Sequence, residues 1–140
     1  MISIAGYLAL LAALLVLLAT RELLATNPIL AVQICAGLLM IWARLTFGRR
    51  SFHLTADPTA GGLVTNGPYA LIRHPIYSAI LLFLLAAVVS HPSARNIGLG
   101  VLAVAGAVAR LVCEERLLRV RYPQYADYSK KTKRLLPFVY

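Results

Sequence analysis

Two groups of polar residues interrupt an otherwise apolar chain, and their side chains are of kinds that bind anions, accept hydrogen bonds or transfer protons. The first is in segment 61–77, GGLVTNGPYALIRHPIY, where Arg73 and His74 precede a proline and an apolar run. The second is at the end of the next apolar run and contains Arg110 and Glu114. Ionisable residues at the border of a membrane helix indicate a functional site. We expect the two groups to form one site.

Helical spacing predicts which of these side chains share a face. Arg110 and Glu114 are four residues apart and therefore lie on the same face of a helix. Glu115 lies about 100° further round the helix, where it can pair with Arg119. We predict that Glu114 points inward with Arg110, and that Glu115 points to a neighbouring or outer face.

Composition indicates an integral membrane protein with one domain. The 140 residues are 60% hydrophobic and only 14% charged, with a mean hydropathy of +0.76. The net charge of +9 would suggest nucleic acid in a soluble protein, but here membrane topology explains it, and we predict no nucleic-acid partner. The two cysteines show no pairing pattern. The three histidines lack acidic neighbours at ligand spacing, so we predict no metal site.

The apolar runs predict an all-α integral membrane fold with four transmembrane helices and a cytoplasmic, helical C-terminal tail. The first run lacks a basic leader and a cleavage site, so we interpret it as a retained helix. A loop rich in glycine and proline joins the second and third runs, and its length and composition favour a functional role. The predicted helices are at 2–20, 28–47, 75–90 and 96–121, the loop at 51–74, and a short C-terminal helix at 123–133.

The distribution of basic residues predicts the orientation. Twelve of the 14 Lys and Arg residues lie between the second and third apolar runs (Arg44, Arg49, Arg50 and Arg73) or from residue 110 onward, and only Arg21 and Arg95 lie on the other side. Basic residues favour the cytoplasmic side. We therefore predict a multi-pass protein, in a bacterial inner membrane, with both termini and the site in the cytoplasm.

The motifs resemble those of a known enzyme family. TNGPY (65–69) and RHPIY (73–77) are similar to the signature of the isoprenylcysteine carboxyl methyltransferases and their bacterial relatives. The match continues through EExxL (114–118), YPxYxxY (122–128) and RxLP (134–137). The paired glutamates are also similar to those of the phospholipid methyltransferases. The motifs occur in the family's order and are separated by a hydrophobic hairpin.

The resemblance covers roughly residues 63–137 and implies a membrane enzyme that uses S-adenosyl-L-methionine without a Rossmann fold. It implies a lipophilic small-molecule or lipidated substrate, and prenylcysteine carboxylates are the first candidate. Carried over by position, Arg110 would bind the substrate and, with Glu114, would be catalytic. The implied cofactor-binding residues are Gly62, Leu63, Val64, Tyr69, His74, Pro75, Ile76, Tyr77 and Glu114.

Methyl transfer from a sulfonium is an in-line displacement that depends mainly on positioning. A carboxylate acceptor needs no general base, whereas an amine must lose a proton, for which this chain offers Glu114 or His74. The residues therefore favour carboxylate or thiol methylation.

Other functions remain open at this point. One is phospholipid N-methylation. Another is a non-enzymatic four-helix membrane protein whose basic tail binds anionic membrane lipids. A third is a membrane reductase that uses a nicotinamide cofactor, because sterol reductases have a similar C-terminal region. The sequence leaves the oligomeric state open.

Overall fold

Helices make up most of the chain. A computed structural model describes residues 2–26, 28–48 and 62–136, and these form five α-helices. The described residues contain no β-strand, and residues 72 and 133 form only an isolated bridge. The helices are α1 (Ile2–Ala19), α2 (Leu30–Phe47), α3 (Pro75–Ser90), α4 (Ala94–Arg121) and α5 (Tyr125–Lys131), with one 3₁₀ turn at Gly67–Ala70.

Local signals explain where the helices begin and end. Pro75 starts α3, where its missing N–H is not needed. The fourth helix begins at Ala94, two residues before the predicted start, because the Ser93 side chain accepts a hydrogen bond from a first-turn N–H (3.1 Å). The last helix is shorter than the predicted 123–133, because the chain becomes extended at Thr132. Segment 51–61 of the predicted loop lies outside the described residues.

The central pair of the bundle is α3 and α4, with α1 packed on α4 and α2 packed on α3. The crossing of α1 and α4 is close, because Gly6 faces Gly106. A Cβ on Gly106 would lie 2.8 Å from the Gly6 carbonyl oxygen, and a Cβ on Gly6 would lie 2.9 Å from Cγ of Arg110. Small residues allow such close crossings in membrane bundles. In α4 this close packing occurs at Gly106 but not at Gly98, where an added Cβ would have nothing within 4 Å.

A polar side chain in the first turn of α2 holds the connection between α1 and α2. Gln33 is buried, and its Nε2 donates to the carbonyl oxygens of Leu23 (2.8 Å) and Phe83 (3.1 Å). Its Oε1 accepts from the N–H of Ala25 (2.8 Å). A buried amide needs partners of this kind, and they attach the connection to α3.

The outer surfaces of the helices are apolar. Leu30–Phe47 and Ala94–Arg121 are each long and apolar enough to cross a membrane, whereas Ser3–Ala19 and Pro75–Ser90 are shorter apolar stretches. Leu18, Leu38 and Leu45 are among the large hydrophobic side chains exposed on α1 and α2. Exposed apolar surface of this kind is typical of a membrane contact. The fold is therefore all-α with membrane character, while four spans and cytoplasmic termini stay a prediction.

The C-terminal segment (residues 122–136) folds back onto the start of α3. The backbone N–H groups of Arg73 and His74 donate to the carbonyl oxygens of Lys133 (2.7 Å) and Arg134 (3.1 Å). One turn into α3, Oγ of Ser78 donates to the carbonyl oxygen at position 135 (2.6 Å). These bonds fix the C-terminal segment against the Arg-His-Pro motif.

Candidate functional site

A cavity of about 620 Å³ lies between α1 and α2 and reaches the helices of the central pair. Ligand pockets generally have volumes of about 300–1,000 Å³. Much of the lining is apolar and comes from all four long helices, whereas other lining residues are charged or phenolic. Apolar lining residues include Leu10, Leu11, Leu14, Met40, Phe83 and Leu84. Polar and charged lining residues include Arg44, Arg73, His74, Tyr77, Arg110 and Glu114.

The cavity brings together the two groups of residues that the sequence singled out. Of the residues predicted to bind cofactor or substrate, Pro75 alone does not line it, and that ring is buried in the first turn of α3. Gly61, at the start of the first group, lies outside the described residues. The predicted juxtaposition of His74 and Glu114 around one cleft is therefore present in the structure, while their functional roles stay predictions. The lining members are Gly62, Leu63, Val64, Tyr69, His74, Ile76, Tyr77, Arg110 and Glu114.

Tyr77 connects the two charged residues of α4 that share a face. Its hydroxyl donates to Oε2 of Glu114 (3.1 Å) and accepts from Nε of Arg110 (2.9 Å). Arg110 is only 5% exposed, and its Nη1 donates to the carbonyl oxygen of Ser3 (3.1 Å). The guanidinium carbon also lies 5.4 Å from the ring centre of Tyr7, as in a cation–π contact. The guanidinium is thus held by neutral oxygens and rings at the cavity surface.

Glu115 lies on a neighbouring face of α4 as predicted, but its predicted pairing with Arg119 is wrong. This residue is 3% exposed and does not pair with Arg119, whose guanidinium lies over an aromatic ring of α5. Oε1 of Glu115 lies 2.9 Å from Nε of Arg73 and 3.4 Å from Nε2 of His74. Oε2 accepts from Nε (3.2 Å) and Nη2 (3.1 Å) of Arg134. The cavity lies on one side of α4 and the folded C-terminal segment on another, so two residues about 100° apart both face protein.

Arg73 has a larger role than its position before the proline suggested. Besides its bond to Glu115, its Nη1 donates to the carbonyl oxygens of Ser129 (2.9 Å) and Thr132. The same side chain lines the cavity. It therefore joins the start of α3, the end of α4 and the C-terminal segment at one point.

Arg44 is a second site residue that the sequence analysis did not identify, because it was counted only among the basic residues that predict the orientation. It lines the cavity from the last turn of α2, together with Gly37 and Met40. The spacing 37, 40, 44 puts all three residues on one helical face. That spacing could have identified Arg44 as a site residue.

Tyrosines of the C-terminal segment complete the lining. The hydroxyl of Tyr128 donates to the carbonyl oxygen of Tyr69 (2.7 Å), and burial raises the pKa of Tyr128 to about 12. Burial, and then the nearby Glu115 carboxylate, raises the pKa of Tyr125 as well. These phenols are therefore neutral near pH 7. Among the described residues the buried Tyr125 hydroxyl makes no hydrogen bond of normal geometry, although it lies close to the Glu115 carboxylate.

The fold and the cavity together define a class: an α-helical protein of membrane character whose interior cavity has both apolar and charged lining, as suits an amphiphilic ligand. The family model described as "Phospholipid methyltransferase" matches residues 27–125, which is more than two thirds of the chain. The chain belongs to this family of membrane methyltransferases. The match confirms the resemblance to membrane methyltransferases that the motifs indicated.

Similarity to characterised proteins is otherwise modest. The Cobalt-zinc-cadmium resistance protein CzcN of Cupriavidus metallidurans is 37% identical over 78 residues, which cover 54% of this chain and 35% of that protein. The chain thus spans about a third of the length of this relative. No solved structure matches the chain significantly.

Proposed function

We propose that the protein is an integral membrane methyltransferase that transfers a methyl group from S-adenosylmethionine to a lipophilic acceptor. The cavity carries this proposal, because residues of the 62–77 segment and of the end of α4 line the same space. Membership of a membrane methyltransferase family supports the reaction class. A cavity with an extensive apolar lining is suited to the hydrocarbon part of an acceptor.

The residues present fit S-adenosylmethionine, which supplies an activated sulfonium methyl when bound. The Glu114 carboxylate can accept hydrogen bonds from ribose hydroxyls or from the ammonium group. Backbone N–H groups in the first turn of α3, where Ile76 lines the cavity, favour the carboxylate of the cofactor. Tyr69 and Tyr77 offer ring faces to the adenine. The hydroxyl of Tyr125, which also lines the cavity, is a further donor.

The contact between His74 and Glu115 changes the role that we assign to the histidine. Its side chain is 3% exposed, and Nε2 lies 3.4 Å from the Glu115 carboxylate. We therefore assign His74 to the cofactor side of the cavity as a packed ring, not as the group that holds the cofactor's carboxylate. Its ring centre lies 5.8 Å from that of Tyr77, so the two rings together shape this side.

For the acceptor, we propose first a carboxylate of prenylcysteine type. A carboxylate is nucleophilic without a general base, and Arg110 lines the cavity with a guanidinium that can orient it. An isoprenoid chain can occupy the apolar part of the cavity. The family match is equally consistent with a phospholipid amine, and an amine must lose its proton. Glu114, the acidic residue among the described lining residues, would then accept that proton.

Binding measurements test the reaction class. The purified protein in lipid nanodiscs should bind S-adenosylmethionine and S-adenosylhomocysteine by calorimetry, and Glu114→Ala should weaken binding at least about tenfold through loss of charged hydrogen bonds. Arg116→Gln is the matched control, because Arg116 is on the same helix but exposed and outside the cavity lining. Absence of binding to the unmodified protein would refute the proposal, and binding of a nicotinamide cofactor instead would support a reductase.

A transfer assay separates the acceptors. Tritiated methyl groups should appear on an S-farnesylcysteine analogue, and mild alkali should release them as volatile methanol, because a methyl ester hydrolyses and an N-methyl group does not. Label that survives alkali and is found on phosphatidylethanolamine would show the alternative acceptor. Protein with Arg110→Gln should bind the cofactor but transfer much less label.

A further inference from the structure

The glycines of the long helices have different surroundings. Gly6 and Gly106 allow a close helix crossing, since a Cβ on Gly106 would lie 2.8 Å from the Gly6 carbonyl oxygen. Gly37 of α2 has no such role, because a Cβ built there would have no atom of the described residues within 4 Å. A glycine inside a helix is less favourable than alanine, and packing does not offset this at Gly37. Its missing side chain instead leaves space in the cavity, which it lines.

The cavity lies where a contact between α1 and α2 would otherwise be. The first helix packs on α4 and the second on α3, while α1 and α2 have little direct contact with each other. Both nevertheless line the cavity, α1 with Leu11 and Leu14, and α2 with Ala36, Gly37 and Met40. A large side chain at position 37 would occupy part of the space between these two helices, and glycine keeps it open.

Two contacts show where Gly37 lies along the depth of the cavity. At the polar end, the ring of Phe47 lies beside that of Tyr69, with centres 5.5 Å apart. At the other end, Nε2 of Gln33 donates to the carbonyl oxygen of Phe83 (3.1 Å). Gly37 is about one turn from Gln33 and roughly 15 Å along the helix from Phe47. It therefore lies towards the apolar end.

A side chain at position 37 would point away from the polar end. The Cα–Cβ bonds of an α-helix tilt towards its N-terminus, and the N-terminal part of α2 is at the apolar end of the cavity. A larger residue would therefore extend towards Leu14 and Phe83, and away from the end that holds Tyr77 and Glu114. The two ends of the cavity can thus be altered separately.

In the proposed function the polar end takes the cofactor, so the apolar end takes the hydrocarbon chain of the acceptor, and the inference rests on that function. We propose that Gly37 is a specificity-determining residue that admits the distal part of a long hydrocarbon chain, so that long-chain acceptors are selected over short-chain acceptors with the same head group. Lipid is as apolar as the cavity, so hydrophobicity alone does not select a chain. Selection depends on whether the chain fits and contacts the lining.

Competition for photo-crosslinking to the full chain in lipid nanodiscs tests this proposal. The probe is S-octyl-N-acetylcysteine with a diazirine in its chain, and the competitors are the unlabelled S-octyl, S-hexadecyl and S-geranylgeranyl compounds. Gly37→Leu should raise the half-maximal concentration of the long competitors at least about tenfold, because a side chain inserted into filled space is unfavourable. That of the octyl competitor should stay unchanged. The long competitor that is weakened more identifies the chain as acyl or isoprenoid.

The matched control is Gly98→Leu. Gly98 is also a helical glycine with open space where its Cβ would be, but it does not line the cavity. This change should leave all three competitors unaffected. If Gly37→Leu does not fold, Gly37→Val and Gly98→Val replace the pair.

Affinity for S-adenosylhomocysteine tests the proposed function separately, on the unmodified protein. It should be the same in Gly37→Leu, because the polar end is not altered. Equal half-maximal concentrations of the long competitors for Gly37→Leu and the unmodified protein would overturn the proposal. An equal rise for the octyl competitor would also overturn it, since position 37 would then not distinguish long chains from short ones.

Discussion

Replacing Glu115 with alanine should destabilise the fold more than the same change at the adjacent Glu114. The Glu115 carboxylate is buried, and it contacts the side chains of Arg73, His74 and Arg134, which are 9%, 3% and 31% exposed. Removing one member of a buried ion pair costs about 3–5 kcal/mol, because the remaining charge loses its partner. Most of this loss should come from Arg73, since water can compensate the more exposed Arg134.

The neighbouring glutamate supplies the comparison. Glu114 accepts a side-chain hydrogen bond from the Tyr77 hydroxyl, and it is partly exposed. Glu114→Ala should therefore lower the free energy of unfolding by only about 1 kcal/mol. Arg134→Gln should also cost little, because Glu115 keeps Arg73 and Arg134 is partly solvated.

Equilibrium unfolding by dodecyl sulfate in mixed micelles measures these differences, and cofactor affinity is measured on the same samples. We expect Glu115→Ala to lose stability first and Glu114→Ala to lose cofactor affinity first. Glu115→Gln should be intermediate in stability, because an amide oxygen still accepts a hydrogen bond. If Glu115→Ala unfolds at the same free energy as Glu114→Ala, the role assigned to this buried cluster is refuted.

Three further predictions concern packing, the C-terminal segment and topology. Gly6→Ala should destabilise the crossing of α1 and α4 by about 1–3 kcal/mol through overpacking. The control Gly98→Ala, where an added Cβ meets open space, should be neutral or stabilising by up to about 1 kcal/mol. Equal free energies of unfolding for the two variants would contradict this prediction. Tyr128→Phe should lower the free energy of unfolding by about 1 kcal/mol, because it removes a 2.7 Å hydrogen bond to the 3₁₀ turn. It should also increase proteolysis of the C-terminal segment. Unchanged protection from protease would argue against packing of that segment through Tyr128. In a cysteine-free background, an impermeant thiol reagent applied outside cells should label Ala94→Cys but not Lys131→Cys, both exposed positions, and the reverse pattern would contradict the predicted orientation.

The positions of the two motifs could be predicted because they depend on local rules. A proline after Arg73 and His74 determines where α3 begins, and a four-residue spacing places Arg110 and Glu114 on one face. The apolar hairpin then returns the chain to the side from which it left, so the two groups meet. None of these steps requires knowledge of distant contacts.

The role of Glu115 could not be predicted by the same reasoning. Helical periodicity gives the angle between adjacent residues but not which directions are occupied by protein. That depends on the C-terminal segment, whose backbone bonds to positions 73 and 74 join residues about 60 apart in sequence. Arg44 was not identified as a site residue for a similar reason, since a basic residue at the end of an apolar helix satisfies the positive-inside pattern whether it faces lipid headgroups or a cavity.

The adjacent residues Glu114 and Glu115 have different surroundings, so we expect them to tolerate substitution differently. Glu114 lines the cavity, while Glu115 is enclosed by the cationic side chains of Arg73, just before α3, and Arg134, in the C-terminal segment. Since Arg73 both lines the cavity and binds Glu115, a change in the C-terminal segment can reach the cavity without touching a ligand. Loss of cofactor binding in a Glu115 variant would therefore not by itself identify Glu115 as a cofactor ligand. The distinguishing observation is whether affinity returns when stability is restored elsewhere, for example by Gly98→Ala.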